Sequence, residues 1–144
     1  MVHAETLSHI GRLCNLLLHS HCLVDKSFST AAVTILVVDD EHGVREIIAE
    51  GLELAGYNVL QAGSGEDALQ ILDRHPDLRL VVSDVRMPGI SGIELARSIV
   101  ATGRQLKVIL ISGFFMSETL NIPCLLKPFR MAELESVVAA QLAA

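Results

Sequence analysis

The chain has 144 residues, a length typical of one domain with or without an extension. Its 51% hydrophobic and 19% charged residues exclude a wholly disordered chain. A net charge of −6 and an aromatic content of 3% argue against a nucleic-acid-binding surface. No run of about 18 apolar residues occurs, so we expect no membrane-spanning helix. With only three cysteines, the sequence favours a reducing, cytoplasmic setting.

Residues 1–32 differ in character from the rest of the chain. Residues 27–32 are mostly small and polar, which is typical of a linker. A secretory signal is disfavoured, because Glu5 stands where positive charge is expected. We predict a helical extension that docks or dimerises; a weakly ordered extension is the alternative. The apolar positions at helical spacing are Leu7, Ile10, Cys14 and Leu17.

From residue 33 onward, short apolar runs alternate with segments of helical period. Thr34–Val38 is continuously apolar and predicts a buried parallel strand. A helix follows, and Gly56 ends it as a C-cap residue does. Strands that alternate with helices indicate an α/β fold around a parallel sheet. The apolar residues of the first helix are Val44, Ile47, Ile48, Leu52 and Ala55. The later predicted elements are strand 57–62, helix 65–73, strand 78–83, a helix marked by Ile93, Ala96, Ile99 and Val100, strand 107–111, strand 124–126 and helix 134–142.

Polar residues follow four of the predicted strands. Asp39 and Asp40 end the first strand, Asp84 the third, Ser112 the fourth and Lys127 the fifth. In an open parallel sheet, ligands bind beyond the carboxyl ends of the strands. Each residue alone has an ordinary structural explanation, such as a helix cap or a turn. Their common placement at one edge makes a shared site the better interpretation.

The charges of these residues suggest a chemistry. Three carboxylates in one crevice repel each other unless cations intervene. Lys127 supplies one positive charge, and a divalent cation would make the site neutral. Oxygen ligands suit Mg²⁺. A metal beside a carboxylate, an ammonium and a hydroxyl predicts phosphoryl transfer, with the carboxylate as the nucleophile that becomes an aspartyl phosphate.

The motifs that hold these residues resemble those of the receiver domains of two-component response regulators, which are CheY-like. The resemblance covers about residues 33–144, whereas 1–32 lie before it. It implies a flavodoxin-like three-layer α/β sandwich with a five-stranded parallel sheet in the order 2-1-3-4-5. The matching pieces are Ile35–Glu41, Gly56–Val59 with Ala62, Gly65–Leu69, Ser83–Gly89 with Gly92, Ile111–Gly113 and Leu126–Phe129.

The resemblance also implies a role for each site residue. Asp84 would accept phosphate from a histidine kinase or a histidine phosphotransfer protein. Asp40, Asp84 and the backbone carbonyl of Arg86 would bind Mg²⁺, and Asp39 would act mostly through water.

Two further residues would contact the phosphoryl group. Ser112 and Lys127 would bind its oxygens, and the Lys127–Pro128 bond is cis in similar proteins.

The sequence departs from the receiver pattern after the fourth strand. Only ten residues, 113–122, separate Ser112 from Pro123, so we predict that the helix of the fourth crossover is shortened or absent. Cys124 also replaces the Tyr or Phe that receivers usually carry three residues before the lysine. We therefore expect the usual aromatic switch to be absent or replaced. In that case the domain accepts or passes on phosphate, or signals through another face.

Two further interpretations concern side chains close to the site. We expect Phe114, Phe115 and Met116 to cover the sheet edge where a helix is missing; the alternative is an exposed patch that recruits a partner. The side chain of Arg86 either tunes access of the hydrolytic water or is simply solvated.

The leading hypothesis is a single-domain response regulator or phosphate-shuttling receiver. We expect no output domain, no nucleic-acid or membrane partner and possibly a homodimer; the downstream target and a place in a longer hybrid kinase stay open. One rival is a pseudo-receiver that binds a partner without phosphorylation. The other is an aspartyl-phosphate phosphatase of the haloacid-dehalogenase type, but that family resembles Asp-x-Asp, whereas Asp39 and Asp40 are adjacent.

Overall fold

A computed structural model describes residues 32–114 and 121–144. The predicted N-terminal helix and the residues Phe115 and Met116 lie outside this part of the chain, so their predictions remain predictions. None of the helices in the described ranges has the length and apolar character needed to cross a membrane.

The described chain forms an α/β fold with four helices and one sheet of five parallel strands in the order β2-β1-β3-β4-β5, as predicted. The sheet is parallel throughout because each consecutive pair of strands is joined by a crossover rather than a hairpin. The elements are β1 Thr34–Val38, α1 His42–Leu54, β2 Asn58–Ala62, α2 Gly65–Arg74, β3 Leu80–Asp84, α3 Gly92–Ala101, β4 Lys107–Ser112, β5 Cys124–Leu126 and α4 Met131–Ala143.

The strand register brings the carboxyl ends of the inner strands to one level. Val38, the last residue of β1, pairs with Ser83 of β3, so the residues that follow them, Asp39 and Asp84, are level across the sheet. Asp84 pairs with Ile111, and Ser112 pairs with Leu126. Because parallel strands keep one spacing along the ladder, this register lines up the polar residues that follow each strand.

Alternating residues of the strands form two hydrophobic layers, one on each face of the sheet. On β1, Leu36 and Val38 pack in the layer under α2 and α3, whereas Ile35 and Val37 pack in the layer under α1 and α4. This follows from the two-residue period of side chains along a strand. Both layers are fully closed over the central strands, so the edge that carries the polar residues sits on a rigid core.

The connection between β4 and β5 is shortened, as the sequence predicted. Residues 113–123 make it, and none of the described residues among them is helical. Leu125 packs against the layer under α1 and α4, so Cys124 and Leu126 point to the opposite face. Both are exposed there.

Three apolar residues that mark helices in the sequence do not join the core, and one of them is Ala55, which follows α1 and is exposed. Ile47 on α1 is 63% exposed and Val100 on α3 is 64% exposed. On α1 the buried stripe runs through Ile48, Ala49 and Leu52, and Ile47 lies about 100° away from Ile48 around the helix. The prediction from hydrophobicity alone therefore assigned Ile47 to the buried face wrongly, because the small residue Ala49 occupies the position that packs against the sheet.

Candidate functional site

The carboxyl edge of the sheet gathers the predicted polar residues. Asp39 directly follows β1, Asp84 is the last residue of β3, Ser112 ends β4 and Lys127 directly follows β5. Asp39, Asp84 and Ser112 stand there because an apolar strand, buried on both faces, ends at each of them, whereas Lys127 follows the short, partly exposed β5. The structure brings the carboxylates of Asp39 and Asp84 together with the ammonium of Lys127, and Ser112 ends its strand at the same edge.

The three carboxylates form one compact cluster. Asp39, Asp40 and Asp84 each offer an oxygen, and these oxygens lie within 4.8 Å of one another, a spacing that can hold a metal ion. Asp39 is buried, the Asp84 side chain is 12% exposed and Asp40 is exposed. The cluster therefore opens to solvent on the side of Asp40.

Lys127 reaches the cluster from β5. Its Nζ lies 3.5 Å from Oδ1 of Asp84 and 3.8 Å from Oδ2 of Asp39. The Lys127–Pro128 bond is cis, as the resemblance implied, and the Lys127 backbone N–H donates to the carbonyl of Ser112 at 2.8 Å. One ammonium group thus faces two carboxylates at distances longer than a good hydrogen bond.

Asp39 and Asp84 lie in surroundings that disfavour their charged forms. Burial raises the pKa of Asp39, although the backbone N–H of Glu41 donates to its Oδ1 at 2.9 Å and opposes the change. Burial also raises the pKa of Asp84, against the lowering effect of Lys127 and of the Val85 N–H that donates to its Oδ1 at 3.0 Å. The positive charge of Lys127 is thus insufficient to offset the burial of these carboxylates.

One buried oxygen of this cluster has no hydrogen-bond partner among the described residues. It is the buried Oδ2 of Asp39. Buried polar atoms in folded proteins are rarely left without a partner, and a missing ion is one ordinary explanation. This orphaned oxygen points to a cation as the absent partner.

Ser112 and Cys124 stand where the sequence placed them. Ser112 is buried, and its Oγ accepts a hydrogen bond from the backbone N–H of Phe114 at 3.0 Å. Cys124 is exposed at the start of β5, although partial burial of its thiol raises the pKa of that thiol above its ordinary value. No ring occupies the position three residues before Lys127.

The expectation that Phe114 covers the sheet edge as a core residue is wrong. Phe114 is 52% exposed, and the guanidinium carbon of Arg86 lies 4.0 Å from the centroid of its ring. Neither interpretation of Arg86 described this stacking, which is a cation–π contact. It joins the loop after β3 to the loop after β4.

The loop after β3 is held by contacts that the sequence motifs did not reveal. Oε1 of Glu66, at the start of α2, accepts a hydrogen bond from the backbone N–H of Ile90 at 3.0 Å. A Cβ atom at Gly92 would collide with the main-chain oxygen of Asp84, so α3 can begin beside Asp84 only with glycine there. The motif Gly65–Leu69 contained Glu66, but only the fold shows what it contacts.

Arg45 is a second residue that sequence reasoning missed. It lies on α1, and its Nη1 donates to the main-chain carbonyl of Asp39 at 2.7 Å. A basic residue one turn into the helix that follows an acidic pair was the available signal. Its spacing alone did not distinguish this contact from a solvated surface charge.

Comparison with known proteins identifies the class of protein to which this fold and site belong. A family model described as the response regulator receiver domain matches residues 35–139. The match spans well over half of the chain and includes all the polar residues of the site. The chain belongs to this family, whose members are phosphoaccepting signalling modules rather than enzymes with a substrate pocket.

Individual relatives agree with this assignment. Sporulation initiation phosphotransferase F of Bacillus subtilis is 31% identical over 112 residues, which cover 72% of this chain and 89% of that protein. The phosphate regulon transcriptional regulatory protein PhoB of Pseudomonas aeruginosa is 55% identical over 65 residues, 44% of this chain and 28% of that protein. The crystal structure of response regulator TrrA from Thermotoga maritima, in complex with Mg²⁺–BeF, is 33% identical with a TM-score of 0.70, covering 76% of this chain and 98% of that one.

The extent of these matches differs between relatives. The chain spans less than a third of the length of several curated relatives, PhoB among them. The likeness therefore covers only a part of those longer proteins.

Proposed function

We propose that this chain is a phosphoacceptor in a two-component phosphorelay, with Asp84 as the acceptor. The observation that carries the proposal is the position of Asp84 at the end of β3, with its Oδ1 3.5 Å from Nζ of Lys127 and two further carboxylates beside it. This arrangement places a nucleophilic oxygen next to a fixed positive charge, as phosphoryl transfer requires.

The residues present fit a magnesium ion. All the ligands that the cluster offers are oxygens, and the orphaned Oδ2 of Asp39 lacks a partner that a water molecule on the cation would supply. Asp40, Asp84 and the backbone carbonyl of Arg86 would hold the ion directly, and Asp39 would act mostly through water. When bound, Mg²⁺ neutralises the carboxylates and the developing charge on the phosphoryl oxygens.

The reaction balances with groups that this chain and its partner carry. A carboxylate oxygen of Asp84 attacks the phosphorus of a phosphohistidine, a P–O bond forms and the P–N bond breaks. The electron pair of the broken bond returns to the imidazole, which takes up a proton. Lys127 and Ser112 would bind the oxygens of the transferred group.

The phosphodonor is a phosphohistidine on a histidine kinase or on a histidine phosphotransfer protein. The chain spans 89% of sporulation initiation phosphotransferase F, and it is also similar to the receiver domain of the hybrid histidine kinase CckA, at 36% identity with a TM-score of 0.68. The likeness to a phosphotransferase and to the receiver of a hybrid histidine kinase supports a phosphohistidine donor of either kind.

A second candidate function is a pseudo-receiver that binds its partner without phosphorylation. Cys124 and the short connection between β4 and β5 favour it, because both alter the region that ordinarily responds to the phosphoryl group. The intact cluster of carboxylates with Lys127 favours the phosphoacceptor, since an unphosphorylated module has no need to keep two largely buried acids beside a third, exposed one.

Intact-mass spectrometry after incubation with acetyl phosphate and Mg²⁺ tests the two candidates. We expect one phosphoryl adduct on the wild type, no adduct on Asp84→Asn and no adduct with a chelator in place of Mg²⁺. Binding of beryllofluoride, followed by NMR, serves as the control for a labile adduct. Beryllofluoride binding without an adduct would indicate rapid hydrolysis, whereas the absence of both would support the pseudo-receiver.

A further inference from the structure

The guanidinium of Arg45 is fixed by three contacts beside the acidic pair. Its Nη1 donates to the main-chain oxygen of Asp39 at 2.7 Å, its Nε donates to Oε1 of Gln61 at 3.3 Å, and its Nη2 lies 2.9 Å from Nδ1 of His42. Gln61 belongs to β2 and His42 opens α1. Arg45 therefore ties together the carboxyl ends of β1 and β2 and the first turn of α1.

The carbonyl that Arg45 holds belongs to the peptide group joining Asp39 to Asp40. The N–H of Asp39 donates to the carbonyl of Ala62 at 3.1 Å, so both main-chain polar groups of Asp39 have partners. In contrast, the side chain of Asp40 is exposed and makes no hydrogen bond or ion pair within residues 32–114 and 121–144. Among the described residues, Asp40 is therefore held in place only through its backbone.

The space around the guanidinium is also limited. A Cβ atom at Gly63 would lie 3.2 Å from Nη1 of Arg45, closer than an ordinary van der Waals contact. The glycine leaves room for the arginine beside the end of β2. Arg45 is only partly buried, so its contacts are not explained by burial in the core.

We propose that Arg45 is a positioning residue for the acidic site: by holding the Asp39 carbonyl, it keeps Asp40 where its carboxylate reaches a bound cation. The inference rests on the proposed function, since it assigns a role in cation binding. Residues that orient metal ligands typically change metal affinity about 10–100-fold when they are replaced.

Because Arg45 is charged, the direction of the change in Mg²⁺ affinity on its substitution distinguishes two explanations. A positive group beside three carboxylates repels a divalent cation, so loss of the charge by itself tightens Mg²⁺ binding. Loss of positioning weakens it. The two explanations therefore predict opposite changes for the same substitution.

The experiment compares Arg45→Gln, Arg45→Lys and the charge-matched control Arg97→Gln. Arg97 is exposed on α3, and its side chain makes no hydrogen bond or ion pair within the described part of the chain. Isothermal titration with Mg²⁺ gives the affinity, NMR of the metal-free protein gives the Asp40 amide ¹⁵N shift, and urea unfolding without Mg²⁺ gives the stability. The amide reports directly, because its nitrogen shares a peptide group with the Asp39 carbonyl.

We expect about tenfold weaker Mg²⁺ binding and a shifted Asp40 amide in Arg45→Gln. Arg45→Lys keeps the charge and one donor nitrogen, so its Mg²⁺ affinity should fall between those of Arg45→Gln and the wild type. Arg97→Gln should bind Mg²⁺ as the wild type does, or slightly more tightly. Unchanged or tighter binding in Arg45→Gln, or an unchanged Asp40 amide, would overturn the proposal.

The readouts separate this inference from the proposed function. If the wild type bound no Mg²⁺, the proposed function would fail, while the Asp40 amide of the metal-free variants would still test the positioning. If Arg45→Gln did not fold, Arg45→Lys would decide: because it keeps the charge, weaker Mg²⁺ binding with a shifted Asp40 amide would support the positioning role, and no change in either would overturn it.

Discussion

The guanidinium carbon of Arg86 lies 4.0 Å from the centroid of the Phe114 ring. Arg86 is two residues after Asp84, and Phe114 is two residues after Ser112. The pair therefore joins the loop that follows Asp84 to the loop that follows Ser112. The backbone N–H of Phe114 also donates to Oγ of Ser112. A displacement of Ser112 would therefore move Phe114 and change its contact with Arg86.

A double-mutant cycle with Arg86→Ala and Phe114→Ala should show a coupling energy of about 0.5–1 kcal/mol, as exposed cation–π contacts do. Urea unfolding of the two single variants and the double variant measures it. The control cycle pairs Phe114→Ala with Arg97→Ala and should be additive. Equal coupling in both cycles would contradict a specific contact.

The raised pKa values of Asp39 and Asp84 predict a pH dependence of stability in the absence of Mg²⁺. A carboxyl pKa above its unfolded value means that the folded protein binds protons more tightly. The contribution of these two groups to the free energy of unfolding therefore falls as the pH rises from the ordinary value of 3.8 through the raised pKa values.

The substitution Asp39→Asn removes one of these charges and keeps an oxygen that can accept from the Glu41 N–H. We expect it to raise the urea midpoint of the metal-free protein at neutral pH and to weaken Mg²⁺ binding. The gain in stability relative to the wild type should shrink as the pH is lowered through the same window. A gain that is constant with pH would show that charge is not its cause.

Gly92 should tolerate no side chain. Its Cβ would meet the main chain of Asp84 and lie 3.0 Å from the Cα of Val85, and neither backbone can rotate away. We expect Gly92→Ala to destabilise the protein by about 1–3 kcal/mol, as overpacking does, and to slow phosphorylation of Asp84. Thermal unfolding and the acetyl phosphate assay measure these effects.

Gly43 provides the matched control for that substitution. It lies on α1, and a Cβ there would meet nothing within 4 Å. Gly43→Ala should stabilise the protein by up to about 1 kcal/mol, because alanine favours the helix. Equal destabilisation by both substitutions would argue against a specific clash at Gly92.

The contact between Glu66 and Ile90 predicts acid sensitivity of the loop after β3. Hydrogen bonds from the backbone N–H groups of Glu66 itself and of Ile90 lower the pKa of the Glu66 carboxyl. Its stabilising contribution is therefore complete above the ordinary value of 4.5 and is lost as the pH falls through the lowered pKa.

We expect Glu66→Ala to accelerate hydrogen exchange of the Ile90 amide at neutral pH. Glu66→Gln retains an oxygen acceptor and should accelerate it less. Exchange of the Leu95 amide, which donates to the carbonyl of Ser91 in the first turn of α3, is the internal reference. Unchanged protection of Ile90 in Glu66→Ala would show that the loop is held by other contacts.

The sequence by itself determined the architecture and the membership of the site. The apolar run of β1 ends at Asp39 and Asp40, and Lys127 follows the run of β5, so the rule that parallel strands end at a common edge was enough to bring them together. The short connection before Cys124 followed from counting residues. These features are local or topological, and the period of the hydrophobic pattern carries them.

Only the tertiary structure decided how the site is supported. Asp39 and Asp40 are the same residue type at adjacent positions of the sequence, yet Asp39 is buried and Asp40 is exposed. Glu66 accepts a hydrogen bond from the N–H of Ile90, 24 residues away, and Arg45 donates one to Gln61, 16 residues away. Polar partners so far apart follow no period, because they are chosen by the packing of whole elements. For the same reason Phe114, which its sequence predicted to be buried, lies stacked on Arg86 at the surface.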